Sequence, residues 1–367
     1  MPAQHLYLHV PYCQAKCPYC DFNSIAGRED EFDSYVDALL QEVGRLPPGP
    51  YATIYLGGGT PTVLAPTLLQ KLLTGIRRHI QLTDNYEWTC EANPGSADAE
   101  RFVILAEHGV NRLSVGVQST HEHHLRWLGR VHTAKEADQT LEAALRFFPR
   151  VSADLIFGLP GQTETEIMAD LGLYARHGLQ HASVYHLMIE PGTVFAARKQ
   201  AELDPEQSER AFALVRQTLR EQDLPPYETS NYAATGQESR HNLAYWNGHD
   251  YQGAGAGAVS CIASWRSSRE KHPGRYIQAI TSGGDAIVER EQITPTIRLV
   301  ECWMLGLRHE QGVDTRQLRS LGDHPERWRQ TAQFLIDDGF LLEHGPFLRL
   351  SDRGRPLQDY ITTRLMP

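Results

Sequence analysis

Cys13, Cys17 and Cys20 place three thiols within eight residues, directly after the extended apolar run Leu6-Tyr7-Leu8-His9-Val10. Thiols at this density read as metal ligands, because soft thiolate is the natural partner of zinc and of iron–sulfur iron. A zinc finger would need a second C-x2-C or H-x3-H pair, and none follows at finger spacing. The other cysteines, Cys90, Cys261 and Cys302, stand singly. Three clustered thiolates suit a cubane [4Fe-4S] cluster that leaves one iron without a protein ligand. A small molecule could be chelated at that open iron. A zinc site closed by one of the 17 histidines is the alternative reading.

The spacing C-x3-C-x2-C resembles the signature of the radical S-adenosylmethionine (SAM) enzymes. Tyr7-Leu8-His9-Val10-Pro11-Tyr12-Cys13, with Cys17-Pro18-Tyr19-Cys20-Asp21-Phe22, is similar to the branch related to oxygen-independent coproporphyrinogen oxidase. The likeness runs along nearly the whole chain. It implies a [4Fe-4S] cluster on Cys13, Cys17 and Cys20, with SAM as second cofactor. Coproporphyrinogen oxidases of this branch carry a further thiol two residues after the third cysteine, where this chain has Phe22.

The elements that must hold such a site alternate. Six β-rich runs, near 5–10, 52–57, 86–91, 112–117, 151–156 and 182–187, are separated by helical patterns near 66–80, 97–108, 134–148 and 164–177. The clearest helix carries Phe32, Tyr35, Val36, Leu39, Leu40 and Val43 at i, i+3, i+4 spacing and stops at Gly44 and Pro47. Right-handed βαβ crossovers of this kind build a parallel sheet. The expected fold is α/β: an open (β/α)6 partial barrel of the radical SAM type, followed by a small helical, winged-helix-like C-terminal domain. Chemistry in such barrels sits at the C-terminal strand ends.

The candidate residues fall there. Strand two runs into Gly57-Gly58-Gly59-Thr60-Pro61, where glycines let a ligand approach the backbone. Strand three ends near Glu91, strand four near Gln118, and strand five carries Asp154 inside an apolar run, costly unless paired or ligand-bound. By resemblance, Gly58, Gly59 and Thr60 hold the methionine amino group of SAM. Tyr7 and Glu91 meet its methionine end or ribose, Gln118 and Asp154 the ribose and polar groups, Arg130 the carboxylate, and Val259 the adenine.

Beyond the barrel, 204–223 reads as one more helix, ended by Pro225-Pro226. His241, Asn242, Tyr245 and Trp246 then offer an imidazole, an amide and two flat rings within six residues, suited to a porphyrin or simply to a loop with buried aromatics. The pattern is similar to that of haem-chaperone members of the branch. Helical patterns near 295–309, 314–321 and 324–338 precede a hairpin around Gly345-Pro346. The expected divisions are 1–235 for the barrel, 236–289 for the haem motif and connection, and 290–367 for the C-terminal domain.

Composition limits the function. The chain has 367 residues, 41% of them apolar, and a net charge of −10. A winged helix would suggest DNA, but residues 295–367 hold 10 Arg, no Lys and 10 acidic residues, so the basic face that phosphate contact requires is missing. No nucleic-acid partner is expected. The first strand begins by residue 6, leaving no room for a leader, and no run of 18 apolar residues exists. The reading is a cytoplasmic protein with reduced cysteines. Its expected partners are haem, a haem donor and acceptor haemoproteins such as respiratory enzymes, with peripheral membrane association allowed. Delivery of haem, radical modification of a porphyrinogen (a class that includes haem-degrading relatives) and redox-sensing DNA binding are the competing functions, in that order.

Overall fold

The computed structural model describes residues 5–366 except residue 324. Six βα units come first: β1 His5–Val10, α1 Phe32–Val43, β2 Tyr51–Gly58, α2 Pro66–His79, β3 Leu82–Ala92, α3 Ala99–Glu107, β4 Arg112–Gln118, α4 Glu122–Trp127, α5 Ala134–Phe147, β5 Arg150–Phe157, α6 Glu164–His177 and β6 His181–His186. There follow α7 Val194–Ala197, α8 Pro205–Glu221, β7 Asn231–Ala233, α9 Arg240–Trp246 and β8 Gln252–Ala254. The order β7-β6-β5-β4-β3-β2-β1-β8 forms one sheet. Strands β1 to β6 pair in parallel, β8 adds in parallel to β1, and β7 adds antiparallel to β6. The edges β7 and β8 do not pair with each other, so the barrel stays open as expected.

Local signals explain the helices. Thr133 with Glu136 and Thr163 with Glu166 form capping boxes that start α5 and α6. Along β1, Leu6, Leu8 and Val10 join the apolar core under the helices, while His5 turns the other way to bond Thr53 at 2.9 Å. The barrel interior is therefore polar, and its outer layer is oil.

The segment 236–289 does not stand apart. Ala254 and Ala256, with Tyr276 and Ile280 of α10 (Pro273–Thr281), belong to the same core as Leu6 and Leu8. A small antiparallel sheet, β9 Val259–Ile262, β10 Trp265–Arg269 and β11 Ile287–Gln292, follows β8 and was not anticipated. The C-terminal unit has its own core around Trp303 and Trp328. It comprises α11 Pro295–Gly306, β12 Val313–Asp314, α12 Thr315–Ser320, α13 Pro325–Asp337, the hairpin β13 Leu341–His344 with β14 Phe347–Leu350, and α14 Gln358–Leu365. The expected start of its third helix, at 324, lies outside the described residues. Arg216 of α8 ties this unit to the barrel through Glu310 at 2.9 Å and Asp352 at 2.8 Å.

The bottom of the barrel is closed by an ion pair. Arg112 Nε donates to Glu87 Oε2 at 3.0 Å, and the two side chains are 2% and 0% exposed. Arg112 Nη2 donates to the carbonyls of Gln237 and Glu238, and the backbone N–H of His241 donates to Glu87 Oε1 at 3.1 Å. Removing Arg112 leaves Glu87 only the more distant Arg150, at 3.8 Å, as a counter-charge, a loss of about 3 kcal/mol, the low end for a broken buried pair. Arg112→Met should therefore lower unfolding stability in urea by about that amount. A loss below about 1 kcal/mol would remove the pair from its structural role.

Candidate metal and cofactor site

The three thiols stand on the loop that leaves β1. Backbone bonds from Cys13 N to Ile25 O (2.9 Å) and from Ile25 N to Pro11 O (2.7 Å) close this loop at its base. His9 Nε2 bonds the carbonyl of Asn23 at 2.8 Å, and Lys16 Nζ donates to the carbonyl of Ser24 at 2.9 Å. All three cysteines are free, half-buried and on the wall of one cavity of about 340 Å³. Burial, with Cys20 and Cys17 adding to it, pushes the Cys13 thiol up. A positive metal would reverse that shift. The donor set fits a cubane cluster, since three thiols face a common space and no fourth protein thiol lines it.

The strand ends supply the rest of the wall. Gly58 has φ +114°, and a Cβ at Gly59 would lie 2.5 Å from the carbonyl oxygen of Tyr12, so only glycine lets this turn press against the cysteine loop. Gly58 N donates to Glu91 Oε2 at 2.9 Å, and the Tyr55 hydroxyl donates to Glu91 Oε1 at 2.7 Å. Thr60 Oγ1 accepts from Asn93 Nδ2 at 2.6 Å. Arg130 donates to Asn93 Oδ1, to the Gly116 carbonyl at 3.0 Å and to Cys17 Sγ at 3.4 Å. Its Nε is buried with no partner, a donor left for a ligand. Deeper in, Ser114 Oγ donates to Asp154 at 2.9 Å. Burial raises Glu91 and lifts Asp154 to about 7. Two carboxyl groups held above their usual range await a hydrogen-bonding or cationic guest.

Gly58, Gly59, Glu91, Gln118, Arg130 and Asp154 thus line one cavity with the three thiols, and Thr60 stands beside it, touching Cys13 and Asn93. Tyr7 and Val259 are not in the lining: Tyr7 bonds His9 Nδ1 at 2.9 Å, and Val259 sits on β9 paired with Ser268. Sequence reasoning passed over Asn93, although the string Glu91-Ala92-Asn93-Pro94 contains it. It also passed over His186, the last residue of β6, and Met188 just beyond it, which line the same cavity.

The four porphyrin candidates lie on a helix, α9, whose start is capped by Ser239. His241 is 1% exposed. Its Nδ1 bonds Thr53 Oγ1 at 2.7 Å and its Nε2 bonds the Tyr245 hydroxyl at 3.2 Å, so neither nitrogen is free for iron. Burial lowers its pKa to about 3. Trp246 lies under the Arg308 guanidinium at 5.0 Å. Only Asn242 lines the cavity. Thr53 and His5 lie at the N-terminal ends of their strands, so α9 plugs the floor, opposite the thiols.

Residues 7–173 match the family model of the radical SAM superfamily. The chain is 36% identical over 321 residues to the heme chaperone HemW of Bacillus subtilis, covering 85% of each chain. It is 39% identical over 298 residues to the heme chaperone HemW of Escherichia coli, covering 76% of this chain and 78% of that one. In fold it is similar to the coproporphyrinogen III oxidase HemN of Escherichia coli, described as a radical SAM enzyme, with a TM-score of 0.86 and 22% identity over 100% of this chain and 90% of that one.

Two outcomes test the site. Replacing Cys13, Cys17 or Cys20 by Ala should abolish the [4Fe-4S] absorbance after anaerobic reconstitution, whereas Cys90, Cys261 and Cys302 should be dispensable; equal iron loss from Cys261→Ala would refute the assignment. The second concerns Asp154, whose folded pKa of about 7 exceeds its ordinary 3.8. A raised carboxyl pKa means stability is lost as pH climbs from about 3.8 through about 7, since the unfolded chain ionises first. Asp154→Asn should therefore stabilise the free chain at pH 8 by on the order of 1–3 kcal/mol, a gain that fades toward pH 4. The same change should weaken SAM binding at least about tenfold. A stability difference independent of pH would show that Asp154 is not held uncharged.

Proposed function

The chain belongs to the radical SAM superfamily and, within it, to the HemW family, and from that premise we propose that it is a haem chaperone. It binds a [4Fe-4S] cluster, SAM and haem, and passes haem to acceptor haemoproteins. The observation that carries this reading sits beside the cluster loop. Where the oxidases of the branch have a further thiol, Phe22 stands 63% exposed at the cavity mouth, and Met188 opposite is 61% exposed. An apolar rim suits a flat hydrophobic cargo that must be taken up and released.

The cluster, when bound, supplies an open iron and a one-electron donor. The protein supplies the rest. Gly58, Gly59 and Thr60 offer backbone and hydroxyl groups to the methionine end of SAM, Arg130 offers its unpaired Nε to the carboxylate, and Glu91 and Asp154 accept from hydroxyl and amino groups deeper in the cavity. Tyr7, Gln118 and Val259 complete the proposed SAM set, Tyr7 and Val259 from outside the lining.

Haem is placed at the mouth. Phe22, Tyr19 and Met188 provide apolar contact, and His186, whose Nε2 is buried without a partner, provides an imidazole nitrogen for iron. His241, Asn242, Tyr245 and Trp246 act through the floor that they build. No described helix is long and apolar enough to cross a membrane. Cytoplasmic residence, respiratory enzymes as acceptors, a haem donor and peripheral contact with a membrane complete the reading.

Haem titration of the reconstituted protein tests it. Phe22→Ala combined with Met188→Ala, and separately His186→Ala, should each weaken haem binding at least about tenfold, about 1.4 kcal/mol, with iron content and SAM affinity kept. His241→Ala should instead lower thermal stability. Conversion of coproporphyrinogen III to protoporphyrinogen without haem transfer to an apo-haemoprotein would overturn the chaperone reading in favour of a porphyrinogen-modifying enzyme.

A further inference from the structure

Outside this cavity, the run His121-Glu122-His123-His124 opens α4 and packs against the first turn of α6. Among the described residues, His123, His124 and Glu166 are the group whose ligand atoms approach closely enough to share one ion, all lying within 4.8 Å of one another. We propose that these three side chains form a second metal site, taking a single divalent transition ion of the zinc class and clamping α4 to α6.

Geometry and chemistry agree on this. His123 Nε2 lies 3.1 Å from Glu166 Oε1, and His124 Nε2 lies 3.7 Å from Glu166 Oε2. Two ligands bonded to zinc at about 2.0–2.1 Å in a tetrahedron stand about 3.3 Å apart, between those two distances. His124 is 4% exposed, and its Nε2 has no hydrogen-bond partner. A buried imidazole nitrogen aimed at a carboxylate and left unsatisfied is unfavourable in the free chain and correct for a ligand. Burial lowers the pKa of His124, and the neutral ring is the form that binds a metal.

Glu166 is already oriented. Its Oε2 accepts from the backbone N–H of Thr163 at 2.8 Å and from the Thr163 hydroxyl at 2.9 Å, the two arms of the α6 capping box. Those bonds hold the carboxyl down to about 2, so it stays ionised, and they leave Oε1 directed at His123. The helix start thus serves as the outer support of the ligand. His121 bonds the Glu166 carbonyl at 3.3 Å and steadies the same junction. Two histidines and one carboxylate leave one tetrahedral position for water. The consequence reaches the cavity, because α4 leads straight into Arg130, whose N–H bonds the Leu125 carbonyl at 2.9 Å and whose guanidinium touches Cys17.

The test uses tag-free full-length chain with its cluster loaded, stripped with a mild chelator and titrated anaerobically with zinc by calorimetry. One zinc per chain should bind at micromolar Kd or tighter and raise the unfolding temperature. His123 is half-exposed and Gln preserves a capping box, so His123→Ala and Glu166→Gln should fold normally. Each should weaken zinc binding at least about tenfold. The triple variant of Cys13, Cys17 and Cys20 should keep the site. Absence of stoichiometric binding, unchanged affinity in both α4–α6 variants, or loss of binding only in the triple thiol variant would each overturn the proposal.

Discussion

The arrangement depends on a charge pair almost wholly removed from solvent. Glu87, midway along β3, and Arg112, at the start of β4, sit on adjacent strands, and each would be costly there without a partner. Their spare hydrogen-bonding groups are spent on one chain segment: Arg112 on the carbonyls of Gln237 and Glu238, and Glu87 on the N–H of His241. The pair therefore fixes where the chain re-enters beneath the barrel and starts α9. Because the sheet is open between β7 and β8, sequence-distant residues must close its floor, and this is how they are held.

From that floor a polar gradient rises. Thr53, His241 and Tyr245 satisfy one another at the base; Asp154 and Glu91 stand above them, held by Ser114 and by Tyr55 with Gly58; Arg130 and the thiols stand at the top. At the top, Arg130 keeps a buried Nε without a partner, where ligands are to arrive. This is the expected distribution when the lower part specifies the fold and the upper part is reserved for guests.

Much of this was legible because it is local. Strands β1 to β6 and helices α1, α2, α5 and α6 announce themselves by period and by punctuation, and the strand-end rule then brings Glu91 and Asp154 toward the thiols without any tertiary information, whereas Arg130, on the loop after α4, rested on resemblance. What stayed hidden depends on distance. The partner that occupies His241 is Thr53, separated by 188 positions, so nothing near Arg240–Trp246 reveals that its imidazole is already used. The strand β8 is three residues long with a single alanine in its core, too short to show a period, and only its pairing with Tyr7 and Leu8 makes it a strand. Asn93 was missed because an amide beside a proline reads as a turn, while its value lies in joining Thr60 to Arg130 across two strand ends.

The contrast between floor and mouth bears on delivery as against synthesis. An enzyme acting on a porphyrinogen through a radical gains from enclosing its substrate and excluding water. A carrier must release its cargo, so its contact surface stays partly open and apolar, with one exchangeable iron ligand. Here the closed end holds aromatic rings and a His241 imidazole whose two nitrogens are both already bonded. The open end presents Phe22 and Met188 to solvent, and His186 lines the same cavity with its unpartnered Nε2 buried against Gly158. A thiol in place of Phe22 would be small and a further metal ligand; phenylalanine is neither, and it turns that corner of the cluster loop into a contact surface. In the proposed chaperone that single position would link the cluster loop to the rim where cargo docks, so that cargo could leave without disturbing the barrel beneath it.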